Sequence, residues 1–481
     1  MTKKYLILLF LFLSTATIAF CASVRDKQDV LAFPTAEGYG KYTQGGRGGA
    51  VIEVTNLNDS GEGSLRAAVE AKGLRIVVFR VSGTIDLQSP LTIRNPYITI
   101  AGQTAPGDGI CLKRHPLNIG ADDVIIRHLR VRLGDESGHD YDAVSCRGRK
   151  NIMLDHLSVS WSIDETLSVY MCENVTIQWC LASESLSKSN HVKGAHGFGI
   201  WGSNYSTYHH NMLAHHSSRN PRFASGAGYN DYRNNVIYNW GYNSCYGGEY
   251  NHARIKNTFG TFDVNMVANY YKPGPGTQPG KVSYRIASPS YRESLDNYGR
   301  WYIADNIVEG NAAVSADNWN GGVQVSGGAD HIAALKRNAP WKAMPISEQT
   351  AEEAYRAVLQ NVGATLPKRD AIDSRIIKEA TDGTATYEGE SSRTSEKRGT
   401  STGPTGIIDS QNDVGGWPLL QSAAASTDTD HDGMPDEWER RKGLCHNDAA
   451  DRNRLHTSGY TAIEIYLNEL CGEYVEGEFV R

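Results

Sequence analysis

Short runs of β-branched and aliphatic residues dominate the chain from about Ala50 to Tyr271. They include Val51-Ile52-Glu53-Val54, Arg75-Ile76-Val77-Val78-Phe79, Tyr97-Ile98-Thr99-Ile100 and Val124-Ile125-Ile126-Arg127. Asn151-Ile152-Met153-Leu154 and Asn174-Val175-Thr176-Ile177 continue the series, with Gly, Asn and Asp between the runs. Several run into a second short strand, as in Ile125-Ile126-Arg127-His128-Leu129-Arg130-Val131. Between Val124 and Val264 the spacing is about 23 to 32 residues, and no helical periodicity intervenes. A unit that short cannot bury its own apolar face, so the repetition predicts stacked coils, each covering the next. A β-sandwich would show tighter spacing and hairpin turns, and Asp108-Gly109 is the lone such signal in this stretch.

Polar positions repeat as well. Asn211, Asn234-Asn235 and Asn269 fall at similar places in successive coils, which predicts a ladder of stacked amides at one turn. After Tyr271 the pattern changes. Lys272-Pro273-Gly274-Pro275-Gly276 reads as a loop, and residues 281–345 are aromatic and mixed. A helix is expected from near Thr350, with Glu353 completing a capping box and Ala354, Tyr355, Val358 and Leu359 on one face. Residues 382–427, rich in Gly, Ser and Thr, read as a flexible linker or a peripheral strap. A small C-terminal unit ends in an amphipathic helix from about Thr461 to Leu470.

Composition changes this picture little. Hydrophobic residues make up 40% and charged residues 21%, as in soluble globular proteins. Lys and Arg number 48 against 54 Asp and Glu, and the net charge of −6 argues against nucleic acid as a partner. The 25 tyrosines and 9 tryptophans suit a carbohydrate surface. The N-terminus says more. Lys3 and Lys4, an apolar run from Tyr5 to about Leu13, and Ala19-Phe20-Cys21-Ala22 together read as a secretory signal peptide over 1–22. The run is too short for a membrane span, and the bulk of Phe20 disfavours a lipid anchor on Cys21. A secreted or periplasmic protein is expected, acting as a monomer. The remaining cysteines are odd in number and contain no Cys-x-x-Cys pair, which excludes a disulfide framework and disfavours zinc. One bridge, Cys445 to Cys471, is conceivable.

Two groups of residues carry candidate chemistry in the coils. In Arg219-Asn220-Pro221-Arg222, Pro221 fixes its own φ and biases Asn220 towards extended geometry, so two guanidinium groups are held in a stiff frame. Paired arginines suit bidentate recognition of carboxylates, although a structural pair bonding loop carbonyls fits the segment equally well. Upstream lie Asp140-Tyr141-Asp142, Asp155-His156 and Asp164-Glu165. With coils stacked about 4.8 Å apart, Asp142 and Asp164 fall side by side and could share a cation. Hard oxygens without cysteine favour Ca²⁺. His209, His210, His215 and His216, and Trp161, Trp179, Trp201 and Trp240, are more simply read as stacking and packing residues. Gly45-Gly46-Arg47-Gly48-Gly49 lacks the Lys-Ser/Thr of a phosphate loop and reads as a turn.

From about 36 to 272 the chain resembles the pectate lyase superfamily of polysaccharide lyases. The matching stretches are Asp142-Ala143-Val144, Asn151-Ile152-Met153-Leu154-Asp155-His156, His191-Val192-Lys193 and Arg219-Asn220-Pro221-Arg222. The resemblance implies an all-β, right-handed, single-stranded parallel β-helix over 23–345 with calcium-assisted β-elimination of polygalacturonate as its chemistry. It implies Arg219 as Brønsted base, Lys193 and Arg222 as substrate-carboxylate binders, and Asp142 and Asp164 as calcium ligands. Asp155-His156 looks like a feature of the core coils rather than of the chemistry. One position departs from the family pattern. Where many members carry a second aspartate four residues after the one matched by Asp164, this chain has Ser168. Glu165 or Asp140 could substitute, or the site could use fewer protein ligands. A polygalacturonase-type hydrolase would instead need paired carboxylates, with Asp155 and Asp164 as the candidates. A non-catalytic uronate-binding β-helix would need only the cations.

A second calcium motif stands in the C-terminal unit, 428–481, beyond a peripheral helix and linker over 346–427. Asp428-Thr429-Asp430-His431-Asp432-Gly433, continuing to Glu439, matches the twelve-residue D-x-D-x-D-G-x₅-E loop. Asp428, Asp430 and Asp432 would supply side-chain oxygens, Met434 its carbonyl, Asp436 a direct or water-bridged contact and Glu439 a bidentate carboxylate. Gly433 permits the sharp turn, and Pro435 is compatible with a helix starting there. The loop resembles calcium loops near the C-termini of secreted bacterial glycan-degrading proteins, and a structural role is expected of it.

Overall fold

A computed structural model describes residues 30–190, 197–253, 258–395 and 402–480. The short runs form parallel strands that pair coil upon coil. Ile152 sits between Val124 and Val175, and Val175 in turn faces Ser206. Among the described residues, nine strands, from Gly83–Asp86 to Ile307–Val308, make one sheet. The other sixteen make two further faces, joined where Leu167–Gln178 and Ile200–His209 run from one face into the next. The result is a right-handed parallel β-helix.

One corner is turned in the same way in coil after coil. A single residue with left-handed φ ends the strand: His128 (52°), His156 (53°), Trp179 (54°), His210 (54°), Asn234 (56°), Ala268 (52°) and Asp305 (58°). Left-handed backbone is uncommon for residues with a Cβ. Here it is held by the ladder of hydrogen bonds on either side. Immediately after this corner lies the amide ladder. The Asn211 N–H donates to Asn235 Oδ1 (3.0 Å), that of Asn235 to Asn269 (2.9 Å), and that of Asn269 to Asn306 (2.9 Å), all of them buried. Equivalent positions are separated by 28 and 23 residues in early coils, by 31 and 24 in the middle, and by 34 and 37 in the last. The last coils exceed the expected spacing because long loops leave them. Replacing Asn235 by alanine would leave buried amides unpaired on both sides. It is expected to lower stability by about 1–3 kcal/mol, read as a shift in denaturant midpoint; an unchanged midpoint would show the ladder to be energetically idle.

The interior of the coil is aliphatic at first, with Val77, Ile100, Ile126, Leu154 and Ile177 fully buried, and becomes aromatic later. Phe223 and Phe262 rings lie 5.4 Å apart, and Phe262 and Trp301 5.3 Å. Trp161, Trp201 and Trp240 are buried packing residues. The glycine segment is also structural. A Cβ on Gly46 would lie 1.9 Å from the Arg75 carbonyl oxygen, and Arg47 pairs with Glu464 at 2.7 Å.

Two outer faces are covered. The helix Ala351–Asn361 has Thr350 and Glu353 as a reciprocal capping box. With Ala371–Asp382, capped by Asp370 and ended by left-handed Gly383, it packs Val358, Ile372 and Ile376 onto Leu181, Met212 and Val236. Residues 402–427 then run as a strap that buries Ile408 in the same cluster. The C-terminal unit packs Met434, Trp438, Ile463 and Leu467 against Ile76 and Val78. Its last helix, Ala462–Leu470, begins at a Thr461/Glu464 capping box. Cys445 and Cys471 are free thiols, so the conceivable bridge is not formed. Among the described residues no helix is long and apolar enough to cross a membrane. The expected signal peptide and Lys193 lie outside the described residues.

Candidate active site

The turn that enters the third face gathers the predicted chemistry. Ala143 N–H donates to the Glu165 carbonyl (2.9 Å), Thr166 N–H to that of Phe198 (2.6 Å), and Phe198 N–H to that of Ser218 (3.0 Å). This ladder stacks Asp142, Asp164-Glu165 and Arg219 from one coil to the next. Carboxylate oxygens of Asp142, Asp164 and Glu165 lie within 4.8 Å of one another. The Glu165 N–H also donates to Asp142 Oδ1 (3.2 Å). Three carboxylates so close repel each other unless positive charge lies among them. A set made only of hard oxygens fits a divalent ion of the calcium type.

Arg219 lies directly against this cluster. Its guanidinium pairs with the Glu165 carboxylate and its side chain is 16% exposed. Its φ of 57° is left-handed, but the same conformation recurs at other corners, so it marks the turn rather than special strain. Ser168 is buried, and its hydroxyl accepts the Ile200 N–H (3.1 Å). It is committed to the backbone, and Glu165 is the third carboxylate of the group. Asp140 stands outside it.

Arg222 opens the next strand and is held by a residue that motif reading does not find. Its Nη2 lies 3.2 and 3.3 Å from the two oxygens of Glu249, and its Nη1 donates to the Phe223 carbonyl (2.6 Å). Ser225 and Ser290 donate to the same carboxylate at 2.6 and 2.8 Å. Burial alone would raise the Glu249 carboxyl, but Arg222 and the hydroxyls hold it below its usual range. The signal for Glu249 is a lone acid in Gly247-Gly248-Glu249 one coil away, visible only once the register is known.

Asp155 is a core residue. It is fully buried, 2.7 Å from Arg127 Nε and 2.9 Å from His156 Nδ1, and accepts from Gln178 at 2.9 Å. Burial would raise its carboxyl, yet His156 and Arg127 hold it far below the ordinary range. A carboxylate so enclosed cannot reach a substrate, which removes the Asp155–Asp164 pair that a hydrolase would need. His209, His210, His215 and His216 are likewise buried packing residues. Trp179 and His210 rings stack at 4.4 Å, His215 lies 2.9 Å from Glu379, and His216 accepts or donates at 3.0 Å to Ser185.

In the C-terminal unit a second acidic group is built from Asp428, Asp430 and Asp432, and a third from Asp432, Glu439 and Asp451. Buried carboxylate oxygens of all five have no protein partner. Burial and the neighbouring carboxylates push Asp432 up to about 7 and Glu439 to about 8. Orphaned buried oxygens of this kind cost several kcal/mol in apolar surroundings unless a cation or proton meets them. The donor set fits a divalent cation. Asp436 is in neither group. Its oxygens accept from Thr429 N and Oγ1, both at 2.8 Å, and from Arg440 at 3.1 Å.

Fold and site together define a class: a parallel β-helix that sets hard carboxylate oxygens and guanidinium groups side by side at one turn. No protein-family model matches the sequence. Curated relatives do. A protein described as a probable pectate lyase C of Emericella nidulans is 33% identical over 463 residues, covering 95% of this chain and 96% of that one. Its counterpart in Aspergillus terreus is 34% identical over 457 residues, with 94% and 96% covered. Among solved structures, Jun a 1, the major allergen of cedar pollen, superposes with a TM-score of 0.50 at 17% identity. That match covers 68% of this chain and 92% of the other, and is a likeness of fold. The chain belongs to the pectate lyase family.

Proposed function

We propose that this chain is a calcium-dependent pectate lyase that cleaves α-1,4-linked polygalacturonate by β-elimination, leaving 4,5-unsaturated oligogalacturonides. The observation that carries the reading is the stack of Asp142, Asp164 and Glu165 against Arg219 at one turn, in a chain of this family. Ca²⁺ held by Asp142, Asp164 and Glu165 would set positive charge against a galacturonate carboxylate and so acidify the adjacent C5 proton. Arg219 would take that proton as a neutral guanidine, its own proton having passed to solvent beside Ca²⁺ and the neighbouring cations. The C5–H electron pair forms the C4=C5 double bond, the C4–O4 bond breaks, and O4 leaves with its electrons to be protonated from solvent. Arg222, steadied by Glu249 and the Phe223 carbonyl, holds a substrate carboxylate with Lys193 and stabilises the charge that develops on it. A guanidinium in water is too strongly protonated to be a base. Glu165 turning from Arg219 towards Asp142 and Asp164 would leave Arg219 facing the sugar.

Ca²⁺ is also the ion we assign to the C-terminal carboxylates, in a structural role. A polymer substrate does not cross membranes, so the reading carries a location outside the cytoplasm. Incubation with polygalacturonate is expected to release an unsaturated, ultraviolet-absorbing product with calcium and none with chelator. Saturated products, or product formation indifferent to chelator, would overturn the assignment.

A further inference from the structure

The C-terminal carboxylates do not follow the twelve-residue loop from end to end. Three of them share one arrangement. Asp428 Oδ2 accepts the Gly433 N–H (3.0 Å), Asp432 Oδ1 the Met434 N–H (2.9 Å), and Asp451 Oδ2 the Cys445 N–H (2.7 Å). In each, the backbone amide fixes the carboxylate, and the second oxygen is buried with no protein partner. Both oxygens of Asp430 and of Glu439 are in that state too. Asp428, Asp432 and Glu439 are themselves almost wholly buried, at 5%, 1% and 0% exposure. Basic side chains near the group include Arg454, whose charge acts on Asp451. Arg80 lies 3.7 Å from Asp428 but is shared with Glu53 at 3.2 Å, and His431 turns to Glu53 at 2.8 Å. Asp436, by contrast, spends both oxygens on Thr429 of the loop and Arg440 of its own helix, Asp436–Lys442.

We propose that Asp451, from outside the loop, is a direct ligand of the C-terminal divalent cation, in the place that loop spacing gives to Asp436. The proposal rests on the reading of Asp428–Glu439 as a cation loop and adds a ligand that closes it from a second segment. The consequence is mechanical. The Arg454 carbonyl, three residues beyond Asp451, accepts the Ala462 N–H at the start of the helix Ala462–Leu470 (2.9 Å). A cation shared by Glu439 and Asp451 therefore ties the helix Asp436–Lys442 to the segment that leads into Ala462–Leu470. Both helices supply the apolar residues that cover Ile76 and Val78. The loop itself rests on the β-helix, since a Cβ on Gly433 would lie 2.8 Å from Val51 Cγ1. Cation binding at this end should thus clamp the C-terminal unit onto the first coils.

The test uses the full-length protein freed of metal, with Ca²⁺ binding followed by calorimetry and melting followed with and without Ca²⁺. Asp451→Asn and Glu439→Gln are each expected to weaken the C-terminal site by roughly tenfold or more and to remove most of its calcium-dependent rise in melting temperature. Asp436→Asn should leave the affinity within about twofold. Unchanged binding in Asp451→Asn with weakened binding in Asp436→Asn would overturn the proposal while leaving the loop intact. Unchanged binding in Glu439→Gln would overturn the loop reading itself. Melting in chelator separates ligand from scaffold: Asp451→Asn should then match the wild type. A deficit of the same size with and without Ca²⁺ would assign Asp451 to the fold instead.

Discussion

Arg219→Lys is expected to reduce turnover of polygalacturonate by on the order of 10³-fold, with folding and calcium binding preserved. Lysine keeps the positive charge beside Glu165, so the turn and the carboxylate cluster should survive. It lacks the planar fork that can face a carboxylate and a C–H bond together. Loss of turnover with unchanged melting and calcium affinity therefore points to chemistry rather than to fold. Residual activity above about a tenth of wild type would exclude Arg219 as the base, because removing a positioned general base costs far more.

The second large effect concerns Glu165, and it tests how the chain manages without an aspartate at position 168. Glu165→Gln removes one of three carboxylates and is expected to raise the calcium concentration for half-maximal activity by on the order of ten- to a hundredfold. Activity should return in part at saturating calcium, because Asp142 and Asp164 remain. Asp164→Asn should do the same. An unchanged calcium requirement in Glu165→Gln would restrict Glu165 to pairing with Arg219. A complete loss that calcium does not restore would mean that Glu165 positions Arg219 rather than metal.

The coils were readable in the sequence because each must bury the next. Ile152 between Val124 and Val175 is apolar for the same reason at every level of the stack. The amide ladder at Asn211, Asn235 and Asn269 was readable because a buried amide must find its partner in the adjacent coil. Thr350-Glu353 was readable because a capping box is local. Ala371–Asp382 carried its own signals, with Asp370 before it, Gly383 after it and Ile372, Ile376 and Ala380 four residues apart, but they border a polar stretch that reads as linker. Glu249 and Asp451 were not legible as partners. Each reaches its site from a separate segment, and only the register and the docking of the C-terminal unit decide which oxygen points where. Ser168 shows the opposite case. The family pattern flagged its position, and the structure gives the hydroxyl to the Ile200 amide while Glu165 joins Asp142 and Asp164.

Cleavage by elimination rather than hydrolysis is the central claim, and the water of the reaction distinguishes the two. Digestion of polygalacturonate in heavy-oxygen water, with calcium present and products weighed by mass spectrometry, reads the difference in a single spectrum. Elimination adds no water across the broken bond, so the new ends should carry no heavy oxygen and one product of each cut should be lighter by one water. Incorporation of one heavy oxygen per cut, with saturated products, would contradict the account.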